Sequence, residues 1–502
     1  MVEELVPAPD PAVCCEQLQA LPYRLFLDSA ARGPRLGRYS FVMADPAIVI
    51  RSKGARAQLI DPRLHGAQQF VGSGFSRTAD HASDDALALA RRVGEPFRSQ
   101  TVAGLPPFQG GIAGYIAYDW GLTLERLPAP RYDDLALDDV VLGLYDWVLA
   151  WDHQASRAWL ISTGMPEADD VARRQRARER AVMVKALLDR TPAPLHARTP
   201  APLHPCTPAP PHPSPAPSYP VEGGWWDASL DIRSSFTRRG YLDAVQRVRE
   251  YILSGDIFQA NLSQRFEATI ADGPWTLYLR LRSRNAAPFA AYMETGDAVV
   301  LSASPERFLR VDATGHVETR PIKGTKPRGV GPEHDLALGQ ALTESEKDRA
   351  ENLMIVDLLR NDLSRVCQPG SVRVPELFAL EKYATVHHLV STVVGTLAPE
   401  YDALDLLRAA FPGGSITGTP KLRAMEIIAE LEPSQRSVYC GSIGYWSVSG
   451  DFDTSIAIRT LVALGNRVYF SAGGGVIADS SPEQEYRETL DKARGIIDAL
   501  HS

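Results

Sequence analysis

The sequence predicts an α+β protein, and three observations carry that expectation. Apolar runs of strand length recur: AIVI (48–51), GIAGYIAYDW (111–120), VVLGLYDWVLAW (140–151), AWLIS (158–162), AVVLSAS (298–304) and RVYFSAGGGVIA (467–478). Helical spacing stands among them, as in YLDAVQRVREYILSGD (241–256), apolar at 241, 245, 248 and 252. A proline-rich break at 191–214 separates the two sets of runs.

In chain order, LDSAARGPRLGRYSFV (27–42) reads as a loop into a strand. VVLGLYDWVLAW and AWLIS, separated by polar HQASR, read as a hairpin. The break holds three copies of an eight-residue unit, TPAPLHAR, TPAPLHPC and TPAPPHPS. Proline this dense removes backbone donors and favours extended polyproline II. His196, His204 and His212 recur with the repeat, and we read them as its expansion rather than as metal ligands. The expected division is an N-terminal region 1–190, a linker 191–222 and a C-terminal region 223–502 that carries the site. There, Gly255 stops the helix at 241–256, a long helix lies near 343–365, and a final helix starts at Ser481-Pro482.

With 502 residues, 44% hydrophobic and 23% charged, the chain has an ordinary globular composition and length enough for two large units. Its net charge of −8 argues against nucleic acid, while a local cluster of cations still suits a small anion. No run approaches a membrane helix, and the acidic, proline-broken MVEELVPAPDP is unlike a signal peptide. Five scattered cysteines suit a reducing cytoplasm.

Two acidic pairs bear chemistry. Asp348 and Glu351 are three apart on a helix, as are Glu485 and Glu488, with Lys492 one turn further. Either pair alone is an ordinary solvated helix start; together they suit Mg²⁺ with oxygen ligands. FPGGSITGTPK (411–421) lacks the GK[ST] of a phosphate loop, and SAGGGVIADS (471–480) reads as a glycine turn after a strand. His387 and His388 read as strand-edge residues; Arg459, among apolar neighbours, needs an anion. RPIKGTKPRG (320–329) confines Lys323 between Ile322 and Gly324: a solvated cation or a nucleophile. Neither Cys367 nor Cys440 lies in the elbow of a glutaminase nucleophile.

DIFQANLSQRF (256–266), SASPERF (302–308), RPIKGT (320–325), DRAENLMIVDLLRNDLSRV (348–366), VHHLVSTVVG (386–395), FPGGSITGTPKLRAMEII (411–428), CGSIGYWS (440–447), DTSIAIRT (453–460) and SAGGGVIADSSPEQEYRETLDKA (471–493) together resemble the chorismate-utilising enzymes. The likeness is nearly continuous over 240–500 and looser before 190. It implies an α/β sandwich of two facing, mainly antiparallel sheets flanked by helices. Lys323 is most similar to the branch that makes 4-amino-4-deoxychorismate for p-aminobenzoate and folate; the anthranilate branch carries a small residue there. The alternatives are anthranilate synthesis, with C2 amination and loss of pyruvate, and a non-catalytic regulator that binds a chorismate-like anion.

The resemblance also implies roles. Glu351 and Glu488 would hold Mg²⁺, with Asp348 and Glu485 nearby. Arg459, Tyr439, Lys492 and the Gly473, Gly474, Gly475 run would bind carboxylates. His388 and Ser415 would lie near the ring, and Glu306 would protonate the departing C4 hydroxyl, which requires a pKa raised by burial. Neutral Lys323 would attack C2, and ammonia would then add at C4 and expel it. Lys326, Arg328 and Arg320 are the cations expected to lower its pKa. Ammonia would come from a separate glutamine amidotransferase subunit. LFLDSA (25–30) is similar to a tryptophan-binding segment of relatives, through Ser29.

Overall fold

The computed structural model describes all residues except 34, 63–84, 190–215, 223, 225, 227–229, 384–385 and 502. The proline repeat and its histidines lie outside the described residues, as does the expected linker apart from 216–222 and its terminal neighbours.

The strands form one sheet of 13 and one of 11, and all pairs of named strands are antiparallel. Each sheet draws strands from both sides of the repeat. In the larger one, Leu25–Asp28 pairs with Phe289–Glu294; in the smaller, Gly111–Ile116 pairs with Ser442–Ser447. One core layer lies between the sheets, holding Leu25, Phe41 and Met43 against Val49, Tyr115 and Ile443. Two further layers seat helices on the outer faces. Successive side chains of a strand point to opposite faces, so Phe26 and Val42 enter an outer layer while their neighbours enter the inner one. Coverage on both faces is why the apolar runs are unbroken rather than alternating.

VVLGLYDWVLAW is two strands in different sheets, Val140–Tyr145 and Trp147–Asp152. The chain crosses at Asp146, fully buried and held by Arg176 at 2.9 Å and Arg180 at 3.1 Å. The expected hairpin is present: Trp147–Asp152 pairs with Arg157–Ser162. SPERF is a second crossing, from Val299–Ser304 in the larger sheet to Arg307–Val311 in the smaller.

The long helix expected near 343–365 is present as Glu346–Ser364, and a further helix, Pro332–Glu344, precedes it. Ser345 separates the two, because its hydroxyl accepts from Asp348 N and caps the second helix. The helix Arg238–Leu253 ends as expected, with Gly255 at φ +86°. The final helix, Pro482–Leu500, begins at Ser481-Pro482, though the Ser481 side chain makes no capping bond. It buries Tyr486, Leu490, Ile496 and Ile497 in the outer layer of the larger sheet, each worth about 1.5–3 kcal/mol. That packing fixes Glu485 and Glu488 against the neighbouring strand.

Candidate active site

The glycine run is not a turn, as its sequence suggests, but the end of the strand Arg467–Val476, paired residue for residue with Gln259–Thr269. Its function is proximity: a Cβ on Gly474 would lie 2.9 Å from Glu485 Oε2 and 3.0 Å from Glu488 Oε1. Lys492 Nζ donates to Gly473 O at 2.8 Å and pairs with Glu488 Oε1 at 2.6 Å. Glu485 is buried and accepts from Ser480 Oγ at 2.7 Å. Burial raises its carboxyl, with Glu488 adding to the effect. Burial also pushes Glu488 up, but Lys492 and more distant lysines outweigh it and leave that carboxyl lowered.

Lys323 lies on the strand Ile322–Pro327, at the edge of the smaller sheet. Ile322 pairs with Val390 and Thr325 with His388, so Lys323 and Gly324 together oppose the single residue Leu389. This bulge re-aims the lysine. Gly324, at φ +85°, permits a close approach of the acidic helix, since a Cβ there would lie 3.0 Å from Asp348 Cβ and Cγ. The half-buried Lys323 donates to Ser415 O at 3.1 Å and has no carboxylate within ion-pair distance among the described residues. Burial lowers its pKa and Lys492 adds to this, while Glu351, Glu306 and Glu488 oppose it. The cations expected to do this are otherwise engaged: Arg320 pairs with Glu381, Arg328 with Asp335 at 2.6 Å, and Lys326 is exposed.

Glu306 stands at the SPERF crossing, 5% exposed. Burial pushes its carboxyl up to about 7, against the pull of Ser415, Lys323 and the Ile322 backbone. His388 is buried on the strand Val386–Thr396 and shares a 2.9 Å hydrogen bond with Thr325 Oγ1. Burial, with Arg459 and His387, lowers it to about 4, so the imidazole is neutral near pH 7. Arg459 has φ +50° and is half-buried; its carbonyl accepts from Ala303 N at 3.0 Å, but its guanidinium has no hydrogen-bond or ion-pair partner among the described residues. Burial alone lowers its pKa.

Glu351, on the second acidic helix, is raised by burial; Lys323 pulls it down, and Asp348 and Glu488 push it up. These influences bring the two acidic pairs, Lys323 and Glu306 into one neighbourhood. Tyr439 is set apart: it is buried in an outer core layer, with Arg436 and Cys440, neither of them in the candidate set, as its neighbours.

Three residues escaped the sequence reading. Gln259 lies against Gly475, whose Cβ would come within 2.1 Å of Gln259 Nε2, and its buried Oε1 has no partner among the described residues. Thr325 holds His388, and Lys347 stands 3.9 Å from Glu351 Oε1. All three sit inside or beside motifs already singled out, but nothing in their spacing marks them.

The donor set suits a hard divalent ion. It is oxygen only, and no cage of three or more His, Cys, Asp or Glu stands ready among the described residues. Mg²⁺ habitually takes one or two carboxylates and completes its shell with water and substrate, which fits a paired clamp. A cavity of about 330 Å³ lies elsewhere, between the sheets beside Ser29, Tyr39, Pro288, Arg307 and Asp453.

Residues 57–498 match the family of chorismate binding enzymes, and the chain belongs to that family. Aminodeoxychorismate synthase component 1 of Klebsiella aerogenes is 45% identical, over 97% of this chain and 95% of its own. Anthranilate synthase component 1 of Pseudomonas aeruginosa is 36% identical, over 96% and 91%. The crystal structure of anthranilate synthase component I from Streptococcus pneumoniae TIGR4 matches with a TM-score of 0.71 at 29% identity, covering 92% of each chain.

Proposed function

We propose that this chain converts chorismate and ammonia to 4-amino-4-deoxychorismate, through a covalent adduct of Lys323. The carrying observation is the Lys323 amine: lowered in pKa by burial, bonded only to a carbonyl, and beside Glu306, whose carboxyl titrates at about 7. The higher identity to the aminodeoxychorismate relative than to the anthranilate relative supports the same branch.

In this reading the Lys323 nitrogen bonds to C2. The two ring double bonds shift toward C4, the C4–O bond breaks, and the hydroxyl leaves as water with the Glu306 proton. Ammonia then adds at C4, the double bonds return, and Lys323 leaves as a neutral amine. The new C4 ammonium returns a proton to Glu306. Unpaired Arg459 meets one substrate carboxylate, and neutral His388 and Ser415 line the ring. Lys492 and the glycine run receive the other carboxylate, and Tyr439 backs the site through Cys440. Bound Mg²⁺, between Glu351 and Glu488 with Asp348 and Glu485 behind them, would neutralise the ring carboxylate. A glutamine amidotransferase subunit supplies ammonia. A cytoplasmic setting suits the buried free thiols of Cys14, Cys15, Cys367 and Cys440.

The test is product identity. The purified chain given chorismate, ammonium and Mg²⁺ yields 4-amino-4-deoxychorismate, and without ammonium accumulates a Lys323 adduct seen by intact mass and peptide mapping. Lys323→Ala loses C4 amination and shifts residual product toward C2. Unchanged C4 product from Lys323→Ala sinks the proposal.

A further inference from the structure

We propose that Lys347 is a displaceable counter-ion of the acidic site, held against its carboxylates until the divalent ion arrives and released to solvent when it does. This rests on the Mg²⁺ reading above and adds to it what sets the ion's affinity.

Four carboxylates, Asp348, Glu351, Glu485 and Glu488, face three ammonium groups, Lys323, Lys347 and Lys492. The three lysines are held differently. Lys492 is anchored twice, by Glu488 Oε1 at 2.6 Å and by Gly473 O at 2.8 Å. Lys323 is half-buried and bonded to Ser415 O at 3.1 Å. Lys347 has only a loose contact, 3.9 Å to Glu351 Oε1 one helical turn away, and its side chain is 56% exposed against 14% for that of Glu351. The lysine can retreat to water; the carboxylate cannot.

The i, i+4 spacing sets the Lys347 ammonium over the Glu351 carboxylate from its solvent side. Ser345 caps the helix two residues before Lys347, which fixes the lysine stem in the first turn. Occupation of the carboxylates by a divalent ion and by Lys347 are then alternatives, so the lysine weakens metal binding and keeps the empty site from self-repulsion.

The experiment is a Mn²⁺ titration of the full chain followed by electron paramagnetic resonance, with Mg²⁺ as competitor, in wild type, Lys347→Gln, Lys347→Arg and Glu488→Gln. Mn²⁺ serves because it takes the same hard oxygen ligands. Lys347→Gln tightens the dissociation constant by about three- to tenfold, somewhat above the usual worth of one exposed pair because the Glu351 carboxylate is largely buried. Lys347→Arg stays near wild type. A dissociation constant in Lys347→Gln that is unchanged or weaker, with Glu488→Gln still abolishing binding, overturns the Lys347 role alone. Absence of competable binding in every protein overturns it together with the metal reading.

Discussion

Lys323 and Lys421 are handled in opposite ways. Lys421 opens the helix Lys421–Leu431, and its ammonium bonds Asp362 Oδ2 at 2.7 Å and Ala410 O at 2.8 Å. Lys323 bonds a single carbonyl. Burial lowers the pKa of both, but at Lys421 a carboxylate in contact opposes it, whereas at Lys323 the opposing carboxylates are out of ion-pair reach. The same contrast separates two arginines. Arg436 is clamped to Glu432 at 2.7 Å and to the carbonyls of Ile416 and Asn261; the Arg459 guanidinium has no partner among the described residues. Buried cations with partners tie elements together. Those without partners are kept for something that is not part of the chain, because an uncompensated buried charge is costly unless a ligand completes it.

Substitution tests that division. Lys421→Met leaves Asp362 buried and unpaired, and we expect a loss of about 3–5 kcal/mol in urea unfolding. A loss below about 1 kcal/mol would dissolve the distinction. Glu306→Gln comes next. Its folded pKa, about 7, exceeds the free value of 4.5, so the protonated carboxyl stabilises the fold fully below pH 4.5. That contribution is lost as pH rises through 7. The Gln variant is therefore more stable than wild type at pH 8, by up to about 3 kcal/mol, with the gain fading toward pH 4. A gain independent of pH would mean that the carboxyl is not the titrating group. The smallest stability change belongs to Arg459→Met, within about 1 kcal/mol, because no internal bond is broken. Its effect falls instead on KM for chorismate, which rises at least tenfold as a carboxylate partner is lost. A KM unchanged with a large loss of stability would place Arg459 among the paired cations.

Much of this was readable in the sequence. The two acidic pairs, the RPIKGT lysine, Glu306 and Arg459 could all be picked out by type and neighbours, and the apolar runs marked the sheets. What was hidden depends on residues far apart in the chain. Arg320 is neutralised by Glu381 and Arg328 by Asp335, so the cations nearest Lys323 in sequence do not govern it, while Lys492 does. The glycine run read as a turn because close approach by Glu485 and Glu488 cannot be seen from glycine alone. The sheet crossing at Asp146 was lost for a related reason: a one-residue interruption leaves the apolar pattern on either side intact.

The sharing of both sheets between the two ends of the chain bears on how the protein is made. Gly111–Ile116 finds its partner in Ser442–Ser447, roughly 330 residues later, and Leu25–Asp28 must wait for Phe289–Glu294. At about 5–20 residues per second, the ribosome holds that first strand for some 15–65 s before its neighbour emerges. Through that interval apolar strand edges stand open to any other chain. The site is later still, since Glu485, Glu488 and Lys492 lie on the helix Pro482–Leu500, which follows every described strand. A chain without the helix Pro482–Leu500 is thus no weakened enzyme but one with half of its acidic set missing and part of the outer layer of the larger sheet exposed.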